Sequence, residues 1–372
     1  MEIAAHVIKQ SSREHPADAV LRGELKNARL SRAEAADVSR AVFHFFRWRG
    51  WLDSTEPHVE NLKAALELAE SFSCNPLSFS DEEIKACSIP EWAGQQMTVS
   101  SEWAWTLQAE PRLWLRAKRG GREELAAALG DCVSSTHLSD ALEYRGKQDL
   151  FRTEAFSKGE FEIQDIASQA VGLVCHPRPG EAWWDACAGE GGKTLHLSDL
   201  MANKGLLWAS DRAEWRLKKL KQRAGRAGAF NYRAALWDGS ARLPTKTQFD
   251  GVLLDAPCSG VGTWQRNPHA RWTTTLEDVA ELAAVQKQLL ANAVAAVKPG
   301  GRLIYAVCTL TRAETDEVAQ AFDKQFPEFV SQKLPHPFAP EQPPFERLWL
   351  WPQETGGNGM FIAAWQRQPL KK

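Results

Sequence analysis

The sequence predicts an α/β protein, with a parallel sheet covered by helices over residues 161–372, a helical stretch at the start and a small mixed segment between them. Three observations carry this reading. From about residue 161 the pattern alternates strand, turn and helix, the mark of parallel strands joined by crossovers. Val252, Leu253 and Leu254 form a short continuous apolar run, as a strand does when both its faces are covered. Four strands end in polar or reactive residues, Asp185 with Cys187, Asp211, Asp255 and Cys308, and in a parallel sheet these ends share the edge where ligands bind.

A chain of 372 residues exceeds a typical single domain. Three segments are expected: a helical domain at 1–75, a linker and small α+β subdomain at 76–160, and the α/β domain at 161–372. The formal net charge of -2 excludes a global basic field, so any nucleic acid must be met by local patches. Seven cysteines without a CxxC pair or zinc-type spacing read as free thiols, and no metal site is expected. No apolar run is long enough for a bilayer and none resembles a signal peptide, so a cytoplasmic protein without a membrane partner is expected, most simply a monomer.

Taken in order, apolar residues recur at helical spacing over Ala17 to Leu25, Ala35 to Phe46 and Val59 to Phe72, with Ser31 and Glu34 spaced as a capping box. The run RAVFHFFRWRGWLD crowds aromatics with Arg40, Arg47 and Arg49, which suits either RNA contact or a bundle with solvated arginines. Asn75, Pro76, Ser78 and Ser80 read as a linker. PRLWLRAKRG alternates as a strand, and Arg112, Arg116, Lys118, Arg119 and Arg122 form either a nucleic-acid surface or a charge-protected strand edge.

In the α/β segment, strands are expected at Ala182 to Cys187, Leu206 to Asp211, Phe230 to Leu236, up to Asp255, at Arg302 to Cys308 and at Phe361 to Gln366. The helix after Asp211 is strongly basic. The helix from Leu276 is expected to stop at Lys298-Pro299-Gly300-Gly301.

DACAGEGGKT, Asp185 to Thr194, places glycines between a strand and a helix, where backbone can approach a ligand and free N–H groups face its anionic part. Cys187 stands where a P-loop needs glycine, and no GxGxxG is present. Asp211 suits a ribose, or caps the next helix. Asp238 suits an adenine amino group. A ribose clamp and adenine contact without a phosphate cradle point to S-adenosylmethionine. Two thiols on neighbouring strand ends, Cys258 and Cys308, suit chemistry at carbon 5 of cytosine. That carbon becomes nucleophilic once a thiolate adds to carbon 6, and Asp255 is placed to hold the ring and stabilise charge.

These residues carry a family resemblance. DACAGEGGKT, DAPCSGVG followed by RNP and RW, LAAVQKQLLANAVAAVKPGG, YAVCTLTRAETDEV and WPQETGGNGMFIAAW together resemble the RNA 5-methylcytosine methyltransferases of the RsmB/NOL1/NOP2/Sun group. The resemblance implies a doubly wound Rossmann-like domain, a small RNA-binding subdomain and an N-terminal NusB-like helical domain. It implies RNA, of the 16S rRNA type, as substrate, with tRNA or a non-catalytic assembly role as alternatives. By the same resemblance Cys308 attacks carbon 6, Cys258 assists release and Asp255 meets the base. The cofactor is then held by Cys187, Ala188, Gly189, Glu190, Gly191, Gly192 and Lys193, with Asp211, Arg216, Asp238 and Asp255. One departure stands out. Gly189-Glu190 replaces the family's usual Ala-Pro, and the extra carboxylate can repel the cofactor's carboxylate or pair with its ammonium.

Overall fold

The computed structural model describes residues 1–369, which divide into two compact units, Met1–Pro111 with Ser259–Val279, and Arg112–Cys258 with Ala280 onward.

In the second unit the apolar runs become strands buried on both faces. Four short antiparallel strands, β1 (Leu113–Ala117), β2 (Cys132–Ser134), β3 (Ala141–Tyr144) and β4 (Phe161–Ile163), form a sheet in the order β2-β3-β1-β4. The large sheet contains β5 (Ala182–Asp185), β6 (Leu206–Asp211), β7 (Tyr232–Leu236), β8 (Phe249–Asp255), β9 (Val297–Val307), β10 (Phe329–Ser331), β11 (Arg347–Leu350) and β12 (Met360–Arg367). Its order is β10-β12-β9-β8-β5-β6-β7, with β11 also paired to β12. Strands β5 to β9 are parallel, and β12 runs antiparallel to β9.

Alternate residues of the central strands enter opposite cores. Trp184, Val252, Leu254, Leu303, Tyr305 and Phe361 pack on one face of the sheet, and Trp183, Leu253, Ile304, Ala306 and Ile362 on the other. A doubly covered sheet results, as the continuous apolar runs require. Gly251 is needed for packing in its centre, because a Cβ there would lie 2.3 Å from the ring of Trp183.

The first unit is helical. Helices Glu2–Gln10, Ala17–Asn27, Arg32–Trp48 and His58–Cys74 close a core around Val7, Leu21, Val42, Phe45, Phe46 and Leu62. The Ser31/Glu34 capping box is formed in both directions. The segment that follows Cys258 returns to this unit: Arg271 is fully buried and donates to the carbonyl of Arg47 at 2.6 Å, and the Trp272 indole donates to that of Phe46 at 2.6 Å.

Several expectations are corrected. The stretch from residue 76 to 111 belongs to the helical unit and is not a linker: Asp81–Ser88 is a helix capped by Ser80, and Trp103 stacks on Trp264. The domain edge therefore falls near Pro111 and not at residue 75. Lys298 to Gly301 lies within β9 and the preceding helix ends earlier, at Ala293. Arg47 neither reaches solvent nor stands ready for RNA, being 2 % exposed and paired with Glu110 at 2.6 Å.

Candidate active site

Strands β6, β5, β8 and β9 lie side by side, so Asp211, Asp185, Asp255 and the residue after β9, Cys308, come to one edge. The Ala256 amide donates to the Ala306 carbonyl at 3.0 Å, which ties the end of β8 to that of β9. Just beyond, the Sγ atoms of Cys258 and Cys308 are 3.3 Å apart. Lys193, in the first turn of helix Gly192–Leu200, reaches across to Asp255, Nζ to Oδ2 2.7 Å. Burial opposes the ammonium, but Asp255, with smaller help from Cys308 and Asp185, more than offsets it and holds Lys193 above the usual lysine range.

Beside this pair is a cavity of about 410 Å³, a size suited to a nucleoside-like ligand. Of the cofactor residues expected from the sequence, all but Gly191 line it. Gly191 turns the chain behind it instead, with φ +89° and no room for a Cβ beside Leu220. Sequence reasoning missed the apolar wall supplied by Trp237, Val285 and Leu289.

Asp211 caps a turn and lines the cavity at once. Its Oδ2 accepts from the Gly189 amide at 3.0 Å, and its Oδ1 from the Ala213 amide at 2.8 Å. Asp238 lies on the rim, its Oδ1 accepting from the Ser240 amide at 2.9 Å. Glu190 pairs with Lys219 at 2.8 Å, which draws the extra carboxylate toward the basic helix Glu214–Ala227.

Part of each basic cluster is engaged inside the protein, while Lys118, Arg119, Arg212, Lys218 and Lys221 stay exposed. Arg223 and Arg226 both pair with the buried Glu162, Arg216 lies 3.7 Å from Asp211, and Arg116 is buried against Asp199 at 2.9 Å. Composition showed the positive charge but not the pairing of Arg116 with Asp199 and of Arg223 and Arg226 with Glu162.

Asp185 is fully buried beneath the cofactor loop, accepting from the Thr194 hydroxyl at 2.7 Å. Burial pushes its carboxyl up to about 7; the Thr194 hydroxyl opposes this and the Asp255 carboxylate adds to it. A folded-state value above the unfolded one gives stability that is complete below about pH 4 and lost as pH rises through 7. Asp185→Asn, which keeps an acceptor for Thr194, is expected to flatten the fall in melting temperature between about pH 4 and 7, where one carboxyl contributes at most about 1.4 kcal/mol per pH unit. An unchanged pH profile in the variant would place that titration elsewhere.

A doubly wound sheet with this strand order and this cavity at its carboxyl edge is the Rossmann-like methyltransferase fold. Residues 172–366 match the family described as 16S rRNA methyltransferase RsmB/F, and the chain belongs to that family. It is 34% identical over 264 residues to the "Probable ribosomal RNA small subunit methyltransferase B" of Bacillus subtilis (strain 168), covering 68% of this chain and 58% of that protein. It is also 34% identical over 223 residues to the tRNA (cytosine(72)-C(5))-methyltransferase NSUN6 of Mus musculus, covering 56% of this chain and 43% of that one. The chain thus spans somewhat over half the length of the bacterial relatives it matches. Among solved structures, that of PH0851 superposes with a TM-score of 0.76 at 23% identity, covering 98% of this chain and 97% of that one. NSun6 from Pyrococcus horikoshii with SFG gives 0.64 at 18% identity, covering 73% and 94%.

Proposed function

We propose that the chain is an S-adenosylmethionine-dependent RNA methyltransferase that forms 5-methylcytosine, with small-subunit rRNA as substrate. The observation that carries this reading is the Cys258/Cys308 contact of 3.3 Å at the ends of β8 and β9, next to the Lys193–Asp255 pair and the cavity. Ordinary transfer to a nucleophilic oxygen or nitrogen needs no thiol, whereas an unactivated ring carbon does.

The cavity suits the cofactor. Trp237, Val285 and Leu289 offer an apolar wall to adenine, Asp211 and Asp238 offer acceptors to hydroxyl and amino groups, and the helix N-terminus at Gly192 favours an anionic end. When bound, S-adenosylmethionine supplies an electrophilic methyl group. Glu190 lines the cavity, but its pairing with Lys219 offsets its charge. This weakens the case for a non-catalytic assembly factor.

In this reading the Cys308 thiolate bonds to carbon 6 of cytosine and the ring electrons pass toward carbon 5. Cys308 takes the attacking role on the family resemblance, and its sulfur lies 3.3 Å from that of Cys258. Asp255 accepts from the exocyclic amine and holds the base, and the Lys193 ammonium paired with it offsets the negative charge that develops on the ring. After carbon 5 is methylated, the Cys258 thiolate takes its proton, the electrons re-form the carbon 5–carbon 6 double bond, and the Cys308 thiolate leaves. The target base reaches the thiols unstacked, from a single strand or by flipping.

The test is to incubate the protein with S-adenosylmethionine and either small-subunit rRNA or tRNA, then analyse the digested nucleosides by mass. 5-Methylcytosine in the rRNA sample is expected. Its appearance in tRNA alone would replace the substrate, and its absence from both would overturn the reading.

A further inference from the structure

Behind the thiols lies a buried polar network that the chemistry above does not use. The helix Leu276–Ala293 buries Val279, Ala283, Leu290 and Ala293 along one stripe, and Gln286, fully buried, interrupts it. Its amide nitrogen donates to the carbonyl of Pro257, the residue before Cys258, at 2.9 Å, and to Glu314 Oε1 at 2.9 Å. The other Glu314 oxygen accepts from Thr309, the residue after Cys308, at 3.2 Å and from Thr311 at 2.8 Å. The Tyr305 hydroxyl, three residues before Cys308, shares its one proton between Gln286 Oε1 at 2.9 Å and the Glu314 carbonyl at 2.6 Å. All five side chains are fully buried.

We propose that Gln286 and Glu314 are positioning residues that lock the Cys258 turn and the Cys308 turn at contact distance. The geometry says why polar groups stand where an apolar stripe would pack as well. A leucine at 286 would fill space but impose no direction. An amide that donates to one turn and to a carboxylate gripping the other makes the two positions interdependent. Displacing either turn strands a donor or acceptor in a low-dielectric interior, which is costly. Its catalytic consequence rests on the proposed function; the geometric claim does not.

The test compares full-length wild type, Glu314→Ala, Glu314→Gln and Gln286→Leu, each checked for cooperative melting. Diamide is added, whose azo group takes two electrons and two protons as the paired thiols form an S–S bond. Peptide mass spectrometry then follows the Cys258–Cys308 crosslink. In Glu314→Ala and Gln286→Leu the crosslinking rate is expected to fall about tenfold, and kcat to fall roughly ten- to a hundredfold with KM for S-adenosylmethionine unchanged. Glu314→Gln should restore at least about a third of the wild-type rate, because its amide can accept from Gln286 and donate to the threonine hydroxyls. Should Glu314→Ala fail to fold, Gln286→Leu decides alone. Wild-type crosslinking rates in the folded variants would overturn the proposal. If wild type methylates no RNA yet the variants crosslink slowly, the functional reading fails and the positioning role stands.

Discussion

Cys308→Ala is expected to abolish methyl transfer to RNA while S-adenosylmethionine still binds. The loss should be on the order of a thousandfold or more, because without the covalent adduct carbon 5 never gains the electron density to take a methyl. Binding should persist because Cys308 does not line the cavity, whose walls come from the loop after β5, the end of β6 and the Asp255–Pro257 segment. Calorimetry for the cofactor and single-turnover transfer for the chemistry separate the two effects. A Cys308→Ala protein that transfers methyl groups within tenfold of wild type would rule out the thiol mechanism.

Asp255→Asn is expected to have the second largest effect, lowering kcat by roughly a hundredfold or more, because the base loses its charged acceptor and Lys193 its counter-ion. It should also perturb Lys193, which owes its elevated titration chiefly to Asp255 and lies 2.7 Å from it. A buried ammonium left without its counter-ion either neutralises or costs stability. The variant should therefore melt lower at acid pH than at pH 10, where the lysine sheds its proton more readily. Single-turnover rates and melting curves across pH check both parts. Activity within tenfold of wild type would remove Asp255 from the chemistry.

The sheet and its reactive edge were legible because apolar runs and strand-end residues are local signals. Asp185, Asp211, Asp255 and Cys308 could be placed on one edge from the alternation of elements alone. The helical unit was only half legible. Residues 76–111 are rich in proline, serine and charge, and their helices are held by the distant partners Trp264 and Gln265, which spacing does not reveal. The inward pairing of Arg116, Arg223 and Arg226 was hidden for a similar reason, since Asp199 and Glu162 lie far along the chain from them. Gln286 did leave a trace, as the one polar residue on the buried stripe of Val279, Ala283, Leu290 and Ala293. Glu314 left none, because its partners Thr309 and Thr311 look like ordinary turn residues after a strand.

Cys308 is expected to attack the base and Cys258 to assist its release. The most direct measurement is to express Cys258→Ala in cells, resolve it on a denaturing gel and sequence any RNA that remains attached. With release impaired, a slower-migrating band carrying covalently bound RNA is expected, and it should vanish in Cys258→Ala/Cys308→Ala. A band that persists in the double variant, or no band in a host whose RNA the wild-type protein methylates, would contradict the assignment of the two thiols.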